Sequence, residues 1–99
     1  MAAGGIETIR GKIARKEMVI GTHVGFANSC FTELLGDVGF DFIWIDAEHG
    51  ALDKEAIQLH MIAARAAGAA SFVRVPWNDP VSVKTILDMG PDGVIFPPT

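Results

Sequence analysis

The sequence has one cysteine, no tyrosine and few basic residues among its 99 positions. A single cysteine, Cys30, cannot form an internal disulfide, so we expect a small core residue in a reducing, cytoplasmic setting. Lysine and arginine number 8 against 12 acidic residues, and this balance argues against nucleic acid as a partner. No apolar run approaches the roughly 18 residues that a transmembrane helix needs, so we expect no membrane partner either.

The residues that are present indicate one globular domain. Hydrophobic residues make up 49% of the chain and charged residues 20%, a composition typical of folded proteins. Apolar segments that favour strands alternate with segments of helical periodicity. The predicted helices and their caps fall within residues 6–16, 28–39, 53–68 and 79–90, and the predicted strands within residues 18–24, 40–45, 71–75 and 93–96.

This alternation predicts an α/β fold with parallel strands and right-handed crossovers. Four parallel strands leave hydrogen-bonding edges open, which indicates that the chain is part of a larger structure. Two helices are expected to bury apolar faces made by Phe31, Leu34, Leu35 and Val38 in one and by Val83, Ile86 and Leu87 in the other. We expect His23 and His60 to serve packing or hydrogen bonding, with His60 at the edge of the buried face of its helix.

The chain is organised around residues 41–50, where an apolar run ends abruptly in polar groups. Asp46, Glu48 and His49 follow the run within four residues, so they lie at the carboxyl tip of a predicted strand. In open parallel sheets and in α/β barrels that edge binds ligands. Two carboxylates beside an imidazole can transfer protons or adjoin a metal ion, although such carboxylates also serve as simple capping groups.

Arg74 ends the next predicted strand. It can lie at the same carboxyl edge of the sheet, which we call the mouth, since parallel neighbours lie about 4.8 Å apart. A guanidinium there could hold a carboxylate with two parallel hydrogen bonds or stabilise a developing enolate oxygen. It could equally pair with Asp46 or Glu48 and only neutralise them. The sequence leaves these two interpretations open.

Three segments resemble the metal-dependent pyruvate aldolases of the 4-hydroxy-2-oxoheptanedioate and 2-dehydro-3-deoxyglucarate type, which are related more distantly to citrate lyase β chains. They are Phe40–Gly50, Val73–Pro76 and Ile86–Pro97, in the family's order and spacing. The resemblance implies the first four or so βα units of a (β/α)₈ TIM barrel, with residues 1–99 as the N-terminal part of an aldolase domain. It implies a carbon–carbon lyase that cleaves a 4-hydroxy-2-oxo acid to pyruvate, or a pyruvate relative, and an aldehyde.

By position, the resemblance makes His49 the acid/base, Arg74 the group that stabilises the enolate and Asp46 the carboxylate that orients His49. Glu48 would support substrate binding, and Asp88 would be a second aspartate linked to the histidine. It also implies a homo-oligomer, a hexamer in the full-length family, and a divalent cation, Mg²⁺, Mn²⁺ or Co²⁺, whose Glu and Asp ligands are expected beyond Thr99. The 99 residues alone are therefore expected to be inactive.

Two alternatives come from the residues themselves. The chain could be a non-catalytic α/β interaction module, or truncated remnant, whose exposed strand edge pairs with another chain. It could instead be a small domain that binds an anionic metabolite at Arg74 and at the helix N-termini near Asp53 and Pro80.

Overall fold

A computed structural model describes residues 5–48 and 52–97. Helices and strands alternate along the chain in the predicted order. The helices are α1 (Ile6–Ala14), α2 (Ser29–Val38), α3 (Lys54–Ala66) and α4 (Pro80–Asp88), and the strands are β1 (Gly21–Val24), β2 (Phe42–Asp46), β3 (Ala70–Arg74) and β4 (Gly93–Ile95). All three strand pairs are parallel, in the spatial order β1-β2-β3-β4. The predicted α/β fold is therefore confirmed.

The helix boundaries follow from capping groups that the sequence displays. Asn28, Asp53 and Asp79 each accept hydrogen bonds from backbone N–H groups in the first turn of α2, α3 and α4. These bonds satisfy donors that have no partner within the helix. Pro80 occupies the first turn of α4, where its missing N–H costs nothing.

The main core lies between the sheet and α2, α3 and α4, because alternate strand residues point to the helices. Ile43, Ile45 and Val73 are fully buried on that face. They pack with apolar helix residues, which include Ile57, Met61, Ala64 and Ile86. The opposite face of the sheet therefore carries the remaining strand residues, among them Trp44, Asp46 and Arg74.

The predicted apolar face of α2 is wrong in its burial. Phe31, Leu34 and Val38 are 46%, 54% and 70% exposed, whereas Thr32 and Gly36 are buried. The reason is that α2 approaches α3 closely through its small residues: a Cβ added to Gly36 would lie 2.5 Å from the Cβ of Ala67. Helical periodicity located the helix, and Leu35 packs against the core as predicted, but the other three residues of the predicted face are exposed.

Three further burial expectations are also wrong. Cys30 is exposed in the first turn of α2. Leu87 is 54% exposed, and only Ile86 is buried in α4. His60 is not at the edge of its helix face but is fully buried, where α2 and α3 meet.

His60 joins α2, α3 and the loop after β1 by two hydrogen bonds. Its Nε2 lies 2.6 Å from the carbonyl oxygen of Phe26, and its Nδ1 lies 2.6 Å from Oγ1 of Thr32. A carbonyl can only accept, so Nε2 carries the proton and Nδ1 accepts from the threonine hydroxyl. Burial lowers the pKa of His60, which keeps the ring neutral.

The amino-terminal helix α1 covers the amino edge of the strands, at the end opposite to the mouth. Lys12 donates to Asp41, 2.7 Å away, just before β2 begins, and Gly5 donates to the carbonyl of Gly68 before β3. Asp41 also accepts from the backbone N–H of Ile20. The hydrogen bond from Lys12 is the largest cause of the lowered pKa of Asp41. Helix α1 therefore closes the end of the sheet at which the strands begin.

On the face opposite to the helices, aromatic rings of the inner strands lie over glycines of the outer strands. A Cβ on Gly21 would overlap the Phe42 ring, and one on Gly93 would lie 2.6 Å from Cδ1 of Phe72. The two rings lie 5.3 Å apart, centroid to centroid. Glycine is therefore required at positions 21 and 93, because any side chain there would overlap the neighbouring aromatic ring.

Candidate functional site

The carboxyl edge of β2 and β3 brings together three of the predicted site residues. Asp46 and Arg74 are the last residues of their strands and are partners in the parallel register. Nη2 of Arg74 lies 2.6 Å from Oδ2 of Asp46, and its Nε lies 3.2 Å from Oε1 of Glu48. The ends of β2 and β3 therefore form one mouth, in which Arg74 lies beside both carboxylates.

Each side chain of this cluster is held in place by its surroundings. Asp46 is 4% exposed, and its Oδ1 also accepts the backbone N–H of Glu48, which folds the chain back at the strand end. The guanidinium carbon of Arg74 lies 5.5 Å from the centroid of the Trp44 ring, a distance at which a cation and an aromatic face attract. The hydrogen bond to Asp46 is the main cause that raises the pKa of Arg74.

The indole of Trp44 adds a polar group that the sequence analysis did not single out. Its Nε1 is buried and has no hydrogen-bond partner within residues 5–48 and 52–97. The signal in the sequence is the parity of the strand, because Trp44 precedes Asp46 by two positions and so faces the same side. An aromatic residue at that position supports the arginine above it.

Two predicted site residues lie elsewhere or cannot be placed. His49 is outside the described residues. Asp88 is the last residue of α4, is 68% exposed at its side chain and pairs with Lys84 on the same helix. Because α4 returns the chain to the amino edge of β4, its end lies opposite to the mouth. The structure therefore does not bring Asp88 to Asp46 and Arg74.

The described residues do not make up a metal site by themselves. Within residues 5–48 and 52–97, no three His, Cys, Asp or Glu side chains are grouped so that they could hold a metal ion. The carboxylates of Asp46 and Glu48 are directed to Arg74.

A cavity of about 570 Å³ lies beside the cluster, on the helix side of the mouth. It is lined by residues at the ends of β2 and β3 and in the first turns of α3 and α4, which include Ala47, Leu52, Lys54, Pro76 and Ser82. Its walls are mainly apolar, so the charged cluster and the cavity form two chemically different parts of one edge. In the described part of the chain no helix is long and apolar enough to cross a membrane.

Solved structures share this architecture. The citrate synthase SbnG matches with a TM-score of 0.83 and 28% identity, over 92% of this chain and 37% of that chain. An HpcH/HpaI aldolase/citrate lyase family protein from Burkholderia cenocepacia J2315 matches with a TM-score of 0.82 and 27% identity, over 93% and 37%. These neighbours are TIM-barrel proteins, and the prediction of about four βα units of a (β/α)₈ barrel is confirmed.

Two curated relatives are aldolases. The 5-keto-4-deoxy-D-glucarate aldolase of Klebsiella pneumoniae is 37% identical over 78 residues, which are 79% of this chain and 30% of that protein. The 4-hydroxy-2-oxo-heptane-1,7-dioate aldolase of Salmonella dublin matches with the same identity and coverage. This chain thus spans less than a third of the length of these relatives. The family model for HpcH/HpaI aldolase/citrate lyase matches residues 20–99, and the chain belongs to that family.

Proposed function

We propose that this chain is the N-terminal part of an aldolase domain that cleaves a 4-hydroxy-2-oxo acid to pyruvate, or a pyruvate relative, and an aldehyde. The observation that carries the proposal is the cluster of Asp46, Glu48 and Arg74 at the carboxyl edge of the sheet. That edge is where barrel enzymes hold their reacting groups. The similarity to two aldolases supports the reaction class.

Arg74 is proposed to stabilise the enolate that forms when the bond between C3 and C4 breaks. Retro-aldol cleavage moves the electrons of that bond towards the 2-oxo group, so negative charge develops on its oxygen. A guanidinium fixed before the reaction lowers the energy of that charge without reorganising. Asp46 orients the guanidinium by accepting hydrogen bonds from its Nη2 and Nε atoms, and Glu48 adds an ion pair at Nε.

His49 is proposed as the group that takes the proton of the 4-hydroxyl, a role that rests on the family resemblance. It follows Asp46 by three positions, and imidazole has a pKa suited to proton transfer near neutral pH. Asp46 is proposed to orient it as well as Arg74. A link between Asp88 and His49 stays a prediction from the resemblance, since the side chain of Asp88 pairs with Lys84 at the end of α4.

The cation and the assembly are proposed from the resemblance alone. A divalent cation, Mg²⁺, Mn²⁺ or Co²⁺, would supply positive charge for binding an anionic substrate. Its ligands would come from outside the described residues, and a cytoplasmic homo-oligomer, a hexamer in the full-length family, is proposed with it.

The test is pyruvate release by the complete gene product, followed with lactate dehydrogenase and NADH. The substrate is a 4-hydroxy-2-oxo acid, with and without added Mg²⁺, Mn²⁺ or Co²⁺. We expect cleavage that His49→Ala lowers by orders of magnitude, while the 99-residue polypeptide alone releases no pyruvate. Wild-type turnover by the His49→Ala variant, or an inactive complete product, contradicts the proposal.

The interaction module is a second candidate, and the open edges of β1 and β4 favour it. Each has a paired neighbour on only one side within the described residues, and unpaired edges can recruit another chain. Sedimentation of the 99-residue polypeptide separates the two functions. A stable, partner-bound species of this polypeptide supports the module, and absence of pyruvate release by the complete gene product opposes the aldolase.

A further inference from the structure

His23 lies on the same face of the sheet as the candidate active site. Its neighbour Val24 is 1% exposed and packs in the core towards the helices. Successive strand residues point to opposite faces, so the side chain of His23 points away from the helices. The imidazole is exposed there. In a closed barrel this face becomes the interior.

The register places His23 beside the residues that hold Arg74. His23 is the parallel partner of Trp44 on β2, and Trp44 lies against the Arg74 guanidinium. Asp46 is two positions further along β2. From the spacing of strands and residues, the Cα atoms of His23 and Asp46 are about 8 Å apart. One extended substrate molecule can therefore reach from the cluster to His23.

The imidazole is a polar group in an otherwise aromatic and small-residue setting. Phe42, Phe72 and the two glycines at positions 21 and 93 make up much of the same face. Within residues 5–48 and 52–97 no hydrogen bond to His23 is present, in contrast to His60, which has two. A polar group enclosed by a barrel without a partner destabilises it. A ligand oxygen that accepts from the ring removes that penalty.

We propose that His23 is a specificity-determining residue that binds a polar or anionic group at the far end of the aldehyde half of the substrate. The inference rests on the proposed function, which places the 2-oxo end at Arg74. Imidazole can donate to a carboxylate or hydroxyl oxygen, which an aliphatic side chain cannot do. His23 thus holds one end of the molecule while Arg74 holds the other.

The experiment is aldol addition of pyruvate by the complete gene product, with two aldehydes of similar length. Succinic semialdehyde carries a terminal carboxylate, and butanal ends in a methyl group. The measured quantity is the ratio of kcat/KM for the two aldehydes, for the wild type, His23→Leu and His23→Gln. We expect His23→Leu to lower this ratio about tenfold or more, and His23→Gln, which retains a donor, to restore part of it.

The outcomes separate the two proposals. A ratio that His23→Leu leaves unchanged overturns the inference while the wild-type activity upholds the proposed function. An equal loss with both aldehydes also overturns it, since a purely structural role does not discriminate between them. No addition by the wild type with either aldehyde overturns the proposed function and the inference with it. Thermal melts of all three proteins identify a variant that fails to fold, and His23→Gln then decides.

Discussion

Asp46 and Arg74 terminate adjacent strands as register partners, and their side chains meet 2.6 Å apart at the edge of the sheet. Asp46 is nearly enclosed, and it also accepts the backbone N–H of Glu48. The pair therefore fixes both an ionic contact and the turn that leads the chain out of β2. We therefore expect substitutions of these two residues to change the stability of the fold as well as the proposed reaction.

Asp46→Asn should lower the free energy of unfolding. The amide removes the negative charge, and only one of its two polar atoms can accept a hydrogen bond. We therefore expect a loss of about 1–3 kcal/mol, the range for a buried group that loses its hydrogen-bond partner. Urea denaturation measures it. Asp88→Asn is the matched control, because its pair with Lys84 is largely exposed and such pairs contribute at most about 1 kcal/mol. Equal urea midpoints for the two variants would contradict this prediction.

Arg74→Lys should abolish most of the activity of the complete gene product while the fold persists. One ammonium cannot reproduce the two parallel hydrogen bonds that Nη2 and Nε donate to the carboxylate of Asp46. We expect kcat/KM to fall about a hundredfold or more, which is similar to the loss of rate when one hydrogen-bond donor to an oxyanion is removed. Arg65→Lys, at an exposed position in the last turn of α3, is the matched control. Full activity of Arg74→Lys would show that Arg74 only neutralises carboxylates.

Trp44 should matter through its ring and not through its nitrogen. Its face lies 5.5 Å from the Arg74 guanidinium carbon, and its buried Nε1 has no partner in the described part of the chain. Trp44→Phe keeps a ring, whereas Trp44→Leu should reduce kcat/KM about two- to thirtyfold, the range for a cation–π contact. Steady-state kinetics should therefore show a larger loss of kcat/KM for Trp44→Leu than for Trp44→Phe. A larger loss for Trp44→Phe than for Trp44→Leu would assign the effect to the indole N–H.

Stability should fall in acid because of His60. Burial lowers its pKa below the ordinary 6.5, so the unfolded chain takes up the proton first as the pH falls. The free energy of unfolding should therefore decrease below pH 6.5, by at most about 1.4 kcal/mol per pH unit for this one group. The decrease ends once the pH lies below the folded pKa.

Urea midpoints between pH 5 and 8 measure this dependence. His60→Gln, which retains a donor for the Phe26 carbonyl, should reduce the slope. The same slope in His60→Gln and the wild type would assign the acid sensitivity to other groups.

Gly36→Ala should separate α2 from α3. The added methyl would lie 2.5 Å from the Cβ of Ala67, so the helices must move apart, at a cost of about 1–3 kcal/mol. Gly11→Ala in α1 is the control, because its nearest atom is the guanidinium of Arg15, which can move. That control should gain about 0.5–1 kcal/mol from helix propensity. Thermal denaturation compares them, and a stabilised Gly36→Ala would contradict the close packing.

The order of elements was predictable because it depends on local signals. Asn28, Asp53 and Asp79 cap the helices in which the sequence placed them. The parallel sheet followed from alternation alone. Register and strand parity then brought Arg74 to Asp46, although 28 positions separate them.

Burial in α2 was not predictable because it depends on its neighbour. Phe31, Leu34 and Val38 have the periodicity of a buried face, yet Thr32 and Gly36 face α3. The close approach is decided by the small size of Gly36 and Ala67, and by the hydrogen bond from Thr32 to His60. The hydrophobic pattern of one helix does not predict such contacts with another helix. Asp88 lies at the end of α4 and pairs with Lys84, and its link to His49 stays a prediction.

The aromatic rings over Gly21 and Gly93 couple the sizes of side chains on neighbouring strands. Phe42 occupies the space of a side chain at position 21, and Phe72 that of one at position 93. A larger residue at either glycine is therefore compatible with this sheet only if the ring beside it becomes smaller. Among relatives, positions 21 and 42 should vary together, and so should positions 93 and 72, with the summed volume of each pair nearly constant.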